Sequence, residues 1–147
     1  SMNIDSIQNG IVIDHITAGR AMRLYELLGL DALDASVAII KNAVSRKSGK
    51  KDIIKIDSDI AINFDVLGFV DPGVTVNIIR DGALVEKRRI DMPERLKNVI
   101  RCINPRCITS TEQELPHIFV LTDVKHEVYR CKYCEEKYSQ RVKTVVQ

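Results

Sequence analysis

The sequence predicts an α+β protein made of two domains, a βαββαβ domain over residues 1–95 and a small all-β domain over residues 96–147. In the first part of the chain, short β-branched runs alternate with stretches whose apolar residues recur at helical spacing. In the second part, loop-forming residues predominate, and all four cysteines lie between residues 102 and 134. The pattern therefore changes near residue 95, where we place the domain boundary.

The first domain begins with a strand, a helix and a hairpin. GIVIDHI at residues 10–16 is rich in β-branched residues, which favours a strand. Residues 18–30 carry leucines at helical spacing and a glycine near their end, which predicts a helix. Apolar strands over residues 36–44 and 51–57 flank a short polar, basic segment, so we expect them to pair.

The same domain continues with a second helix and a second hairpin. Ser58 is the predicted cap of a short helix over residues 59–67. Strands over residues 74–80 and 83–88 are separated by an Asp-Gly dipeptide, which favours a two-residue hairpin turn. The resulting order is βαββαβ with one extra strand, the ferredoxin-like arrangement in which helices cover one face of an antiparallel sheet.

The second domain is predicted to open with a helix and to continue with short strands. Met92-Pro93-Glu94-Arg95 is typical of a helix start, because proline is favoured at the first helical position. We therefore predict a connecting helix that ends near residue 100. Apolar runs over residues 118–122 and 127–130 predict strands.

Cysteine spacing is the most specific signal in the sequence. Cys102 and Cys107 form a C-x4-C pair, and Cys131 and Cys134 form a C-x2-C pair 23 residues later. Each pair places two sulfurs on a tight turn, and two such turns together predict a closed tetrahedral site for a structural zinc ion. An iron–sulfur centre and a redox dithiol at the second pair are the alternatives.

Charge and hydropathy limit the partners of the protein. The chain has 22 Lys and Arg against 20 Asp and Glu, a formal net charge of +2, which argues against strong nucleic-acid binding. Its apolar runs are too short to span a membrane, and its first residues do not resemble a secretion signal. We expect a cytoplasmic protein that binds neither nucleic acid nor membrane. A zinc-ribbon nucleic-acid-binding protein and a thiol oxidoreductase are competing hypotheses.

Several polar residues interrupt the predicted strands of the first domain. Asp14 and His15 adjoin on the first strand, Lys55 stands among isoleucines, and Asn77 interrupts an apolar strand. Each has an ordinary structural interpretation, as a paired polar group or as part of a solvated face. A basic run beginning at Lys87 could neutralise phosphate. No Ser–His–Asp or Cys–His set stands out, so the sequence shows no recognisable catalytic centre.

Six short motifs resemble one family. They are VIDHI (residues 12–16), KDIIKI (51–56), TVN (75–77), PER (93–95), CINPRC (102–107) and CKYCE (131–135). In this order they resemble the regulatory subunits of aspartate carbamoyltransferase, over roughly residues 5–140. The resemblance implies a non-catalytic subunit with a ferredoxin-like allosteric domain and a zinc domain, belonging to an enzyme of pyrimidine biosynthesis. It further implies the nucleotide effectors CTP, UTP and ATP, a homodimer formed through the allosteric domain, and zinc-domain contacts that bridge catalytic trimers.

The resemblance also implies roles for individual residues. Asp14 would accept hydrogen bonds from the ribose, Lys87 would be the main triphosphate contact, and Asn104 and Glu135 would contact the catalytic chain. The implied nucleotide site comprises Asp5, Ile7, Asp14, His15, Lys51, Lys55, Asn77, Ile79, Leu84 and Lys87. Gly82 departs from the family pattern, since better-known members carry a bulky side chain there, close to the base.

Overall fold

A computed structural model of the chain describes residues 7–47, 49–139 and 145. The chain divides into two compact units, Ser1–Asp91 and Met92–Gln147. The elements of the first unit are β1 (Gly10–Thr17), α1 (Ala21–Leu27), a 3₁₀ turn (Leu30–Ala32), β2 (Ser36–Ser45), β3 (Gly49–Asp57), α2 (Phe64–Val70), β4 (Thr75–Arg80) and β5 (Ala83–Arg89). Those of the second unit are β6 (Arg95–Lys97), a 3₁₀ turn (Ile108–Ser110), β7 (Ile118–Asp123) and β8 (Val128–Cys131).

The five strands of the first unit form one antiparallel sheet in the order β2-β3-β1-β4-β5. β1 lies in the centre, between β3 and β4, which is the strand order of the split βαβ arrangement. β5 extends this sheet through a hairpin with β4. The predicted α+β class and the ferredoxin-like order are therefore confirmed.

Strand alternation gives this sheet one buried face and one partly open face. Ile13 pairs with both Ile54 and Val76, and all three side chains are fully buried. Leu24 of α1 and Leu67 of α2 are also fully buried and contribute to the core. Residues at the alternate strand positions point to the opposite, partly open face, which therefore remains accessible to a ligand.

One buried carboxylate joins three segments of the first unit. Asp52 accepts hydrogen bonds from the backbone N–H groups of Gly19, Ala21 and Asn42, at 2.9, 3.2 and 2.9 Å. Burial alone would raise the pKa of Asp52, but these backbone donors outweigh it and hold the pKa below its usual range. The ionised Asp52 thereby fixes the start of α1 against β2 and β3.

The helices are shorter than predicted, and the second begins at a different residue. α2 begins at Phe64, because the Asn63 side chain accepts hydrogen bonds from two backbone N–H groups of the first turn, and Ser58 is not its cap. α2 also continues through Gly68 to Val70, beyond the predicted end at residue 67. α1 is also shorter than the predicted range of residues 18–30. Within the described residues, no helix has the length and apolar character that a membrane crossing requires.

The second unit contains a three-stranded antiparallel sheet in the order β6-β7-β8. The helix predicted near Met92–Ile100 is wrong, because Arg95–Lys97 forms β6. Leu96 of β6 is fully buried and pairs with Phe119 of β7. Burial of this residue in a sheet outweighs the helix-start signal of the preceding proline.

Candidate functional site

The four cysteines of the second unit form a single cluster. Their sulfur atoms all lie within 4.8 Å of one another. Sγ of Cys102 is 3.6 Å from Sγ of Cys134, and Sγ of Cys107 is 3.8 Å from Sγ of Cys131. Four sulfurs bound about 2.3 Å from one tetrahedral ion lie about 3.8 Å apart, whereas a disulfide brings them to about 2.05 Å. The cluster therefore has the geometry of a shared metal site.

Two tight turns position these sulfurs. In the first, Asn104 accepts hydrogen bonds from the N–H groups of Arg106, through its side chain, and of Cys107, through its carbonyl, both at 3.0 Å. In the second, Glu135 N donates to Cys131 O at 2.8 Å, and Glu135 adopts a left-handed conformation with φ +66°. Asn104 and Glu135, the predicted partner contacts, therefore belong to the two metal-binding turns, and Glu135 is exposed.

Burial and hydrogen bonds shift the cysteine pKa values in opposite directions. Burial raises the pKa of Cys102 and that of Cys131, and the neighbouring sulfurs add to this effect. Cys107 is buried too, but hydrogen bonds from the side chain and backbone of Thr109 outweigh burial and lower its pKa to about 7. Because Cys131 and Cys134 share one four-sulfur cluster with Cys102 and Cys107, the geometry favours metal binding over a separate redox dithiol. Crowded, buried thiols ionise together when a cation compensates their charge.

The open face of the first unit's sheet carries a row of polar residues. Lys55 of β3 pairs with Val12 of β1, Val12 pairs with Asn77 of β4, and Asn77 pairs with Lys87 of β5. Residues that pair directly across antiparallel strands share a face. Lys55, Asn77 and Lys87 therefore project from the same side of the sheet.

An ion pair lies on the same face, next to this row. Lys51 Nζ is 2.9 Å from Asp14 Oδ1, and the two side chains are 18% and 21% exposed. His15 donates its backbone N–H to Asp14 at 2.7 Å, and its ring lies 3.3 Å from the hydroxyl of Thr75. Burial alone would raise the pKa of Asp14, but the hydrogen bonds from Lys51 and His15 outweigh it and lower the pKa. Asp14 is therefore an ionised acceptor at neutral pH.

Two further observations distinguish the row from an ordinary solvated surface. Oδ1 of Asn77 is buried and has no hydrogen-bond partner among the described residues. Such an atom costs free energy unless a ligand or water donates to it. Arg88 turns the other way, with its guanidinium 4.4 Å from the centre of the Phe64 ring of α2. Lys87 thus faces the open side, while Arg88 packs on the helix side.

Apolar residues lie at one end of this face. Ile79 pairs with Gly10 and with Leu84, and the buried Ile7 lies beside Gly10. The Asp81-Gly82 turn adjoins the same end, where Gly82 N donates to the carbonyl of Gln8 at 2.9 Å. The predicted nucleotide residues that belong to strands thus lie on one face. Ile7 lies before β1, at the apolar end of this face, and Asp5 lies outside the described residues.

Two residues at these sites were missed by the sequence reasoning. Thr75 contacts His15 and pairs with Asp14, and Thr109 donates a hydrogen bond to Sγ of Cys107 at 3.1 Å. Strand alternation from Asn77 would have placed Thr75 on the open face. The signal for Thr109 is its position two residues after a metal-ligating cysteine.

Comparison with known proteins identifies both units. The family model "Aspartate carbamoyltransferase regulatory chain, allosteric domain" matches residues 2–91, and "Aspartate carbamoyltransferase regulatory chain, metal binding domain" matches residues 94–143. An aspartate carbamoyltransferase regulatory chain of Clostridium botulinum is 50% identical over 138 residues, covering 94% of each chain. Those of Clostridium tetani and Bifidobacterium longum are 49% and 45% identical, covering 93% and 92% of this chain and 96% and 98% of theirs. This chain therefore belongs to the family of non-catalytic regulatory chains of aspartate carbamoyltransferase, with an allosteric domain followed by a metal-binding domain.

Proposed function

We propose that this chain binds nucleotide effectors and joins catalytic trimers of aspartate carbamoyltransferase in pyrimidine biosynthesis. The first unit is the nucleotide-binding domain, and the second contacts the catalytic chain. The observation that supports this most directly is the open face of the first sheet. There an ionised carboxylate, a row with two lysines and a buried amide oxygen that has no partner among the described residues lie together.

The residues of this face match the parts of a nucleoside triphosphate. Asp14 accepts hydrogen bonds from the ribose hydroxyls, since an ionised carboxylate is a strong acceptor. Lys87 and Lys51 bind the triphosphate, with His15 nearby, because cations bind phosphate through charge-assisted hydrogen bonds. Lys55 contacts the base and ribose side. Asn77 is a polar contact on the phosphate or sugar side, where its side-chain oxygen accepts a hydrogen bond. The effectors are CTP, UTP and ATP.

The base is held at the apolar end of the face. Ile79 and Leu84 line the base pocket, and the backbone around Ile7 reads the exocyclic groups of the base. Asp5, earlier in the chain, assists as an acidic residue. Main-chain donors and acceptors distinguish amino from keto groups, which is how such a site separates cytosine from uracil.

The metal of the second unit is a structural zinc ion bound by Cys102, Cys107, Cys131 and Cys134. Four thiolates at tetrahedral distances favour zinc, and a site with all four positions filled by protein leaves none open for catalysis. Zinc bound in this way holds the two cysteine turns together. A reducing cytoplasm, where we place the protein, keeps these thiols available for the metal.

Two kinds of protein contact complete the proposal. Two copies of the chain associate through their first units, where β2 forms one edge of the sheet and offers backbone groups for pairing. The second unit contacts the catalytic chain through the surface around Asn104 and Glu135. A nucleotide then alters catalysis because it binds the quaternary states of the complex unequally.

The test is to mix the zinc-loaded chain with aspartate carbamoyltransferase catalytic trimers and to measure particle mass and activity with and without CTP, UTP and ATP. We expect one large species whose activity at low aspartate concentration depends on the nucleotide. Nucleotide binding without assembly would contradict the proposed catalytic partner and support the proposed nucleotide ligand. Neither binding nor assembly by a zinc-loaded chain would contradict both.

A further inference from the structure

Thr109 lies against the metal centre without being one of its four predicted ligands. Its side chain is 6% exposed, and its hydroxyl donates to Sγ of Cys107 at 3.1 Å. Thr109 belongs to the 3₁₀ turn Ile108–Ser110, which begins directly after Cys107. The backbone of this turn therefore holds the short Thr109 side chain, and with it the hydroxyl donor, within hydrogen-bonding distance of the sulfur.

The contact fits the charge of a thiolate site. Four thiolates around one divalent cation carry a net charge of about −2, and Cys107 is only 2% exposed. Negative charge that is removed from water needs hydrogen-bond donors, and a hydroxyl that donates to sulfur supplies one. It also restricts the rotation of the Cys107 side chain, so the sulfur is held where the metal needs it.

We propose that Thr109 is a positioning residue of the metal centre, whose hydroxyl orients Cys107 and stabilises the metal-bound thiolate. The inference rests on the proposed metal centre and extends it, because part of the metal affinity is assigned to a side chain that does not coordinate. Substitution of residues that hydrogen-bond to metal ligands in this way typically lowers metal affinity about 10- to 100-fold.

The test compares three variants of the full chain, loaded with Co²⁺ as a spectroscopic probe and with Zn²⁺ for affinity. Thr109→Val removes the hydroxyl and keeps the shape, Thr109→Ser keeps the hydroxyl, and Thr111→Val is the matched control. Thr111 lies just beyond the same turn, is exposed, and donates to the carbonyl of Ile108 instead of a sulfur.

For Thr109→Val we expect metal affinity about 10- to 100-fold weaker. We also expect the sulfur-to-cobalt charge-transfer band to move to longer wavelength, because the sulfur loses a hydrogen bond. Thr109→Ser should restore both properties, and Thr111→Val should change neither.

Two results would overturn the inference: wild-type affinity and spectrum in Thr109→Val, or a Thr109→Ser chain that behaves like Thr109→Val. Should the valine variant not fold, Thr109→Ala makes the same comparison with the serine variant. A wild-type chain that takes up neither metal would instead remove the metal centre itself, which is a different failure from an unchanged variant.

Discussion

Side-chain alternation along β5 separates the neighbouring residues Lys87 and Arg88 by the thickness of the sheet. Lys87 pairs with Asn77 on the open face, whereas Arg88 stacks on Phe64 among the helices. Both residues are basic and lie in one exposed strand, so bulk charge does not distinguish them. Their different surroundings make them a matched pair for testing the proposed triphosphate contact.

We predict that Lys87→Gln lowers the affinity for CTP about 10- to 100-fold, because one hydrogen bond to a charged group contributes about 1.5–3 kcal/mol. The affinity for cytidine, which has no phosphates, should change little. Isothermal titration of the zinc-loaded chain measures both values.

Arg88→Gln is the control for Lys87→Gln. It removes the same charge but should change CTP affinity less than about threefold, since the Arg88 guanidinium lies against Phe64 on the other side of the sheet and salt screens its charge. Equal losses of affinity in the two variants would show that CTP responds to net charge alone and not to the open face.

Asp52 is the residue on which we expect the stability of the first unit to depend most at acid pH. Its folded pKa is lowered, so its contribution is fully present above the ordinary value of about 3.9 and is lost as the pH falls through the lower folded value. Asp52→Asn should cost about 2–4 kcal/mol at neutral pH, because an amide nitrogen then faces backbone N–H donors.

Urea unfolding at pH 7 and pH 3 measures this effect, with Asp57→Asn as the control. Asp57 is exposed at the end of β3, and its substitution should change stability by less than about 0.5 kcal/mol. The difference between the two variants should also shrink at pH 3. A difference that persists unchanged at pH 3 would mean that the ionised carboxylate is not what Asp52 contributes.

At the scale of the element, the hairpin between β4 and β5 was predictable, and the backbone angles of its turn explain why. Asp81 and Gly82 both have positive φ values, +51° and +76°. This is the combination that two-residue turns matching the twist of the strands require, and Asp-Gly supplies it at low cost. A Cβ on Gly82 would lie 3.2 Å from the end of the flexible Gln8 side chain, which can move away.

We therefore predict that Gly82→Ala destabilises the first unit mainly through its backbone, by about 1–2 kcal/mol. Gly82→Asn should cost clearly less, because asparagine adopts the left-handed conformation more readily than alanine. Thermal unfolding of the two variants decides this. Equal costs would indicate that contact with Gln8, and not the backbone, limits this position.

Elements with strong periodicity could be predicted, whereas elements decided by tertiary contacts could not. The strands and their order follow from β-branched runs and turn residues, and β2–β5 begin and end close to the predicted residues. The start of α2 did not follow, because Ser58 and Asn63 are both good capping residues and only packing selects between them. β6 was missed since three residues carry no periodicity, and its pairing with β7 is a long-range contact.

The sites show the same division. Cysteine spacing predicted which residues would meet, since a tight turn needs only local geometry. Thr75 became visible only once the strand register was known, and Thr109 only once the turn after Cys107 was described. Oδ1 of Asn77 has no hydrogen-bond partner among the described residues because of how the sheet packs, and the sequence carries no signal for this.

At the scale of the whole molecule, the two units depend on different forces. The first unit has a core built on a five-stranded sheet and two helices. The second has three short strands, and a unit of this size buries little apolar surface, so a bound metal can supply much of its stability. We therefore expect metal binding and folding to be coupled in the second unit.

We predict that a strong chelator unfolds the second unit and leaves the first unit folded. In ¹⁵N–¹H spectra, amide signals of the second unit should collapse to unfolded positions, while those of β1–β5 persist. CTP binding should survive and association with catalytic trimers should be lost, and added Zn²⁺ should restore both the signals and the association. Retained signals from β7 and β8 in the stripped chain would contradict this prediction.

The pairing register of β4 and β5 also limits which insertions and deletions this hairpin can accept. A strand has two faces, so shifting β5 by one residue against β4 would turn Lys87 under the sheet and bring Arg88 to the open side. A codon gained in the turn has this effect only if β5 slips along β4 to keep a two-residue loop, because a three-residue loop leaves every pair in place. We therefore expect inherited insertions to lengthen this exposed turn and to leave the pairing of β4 with β5 unchanged.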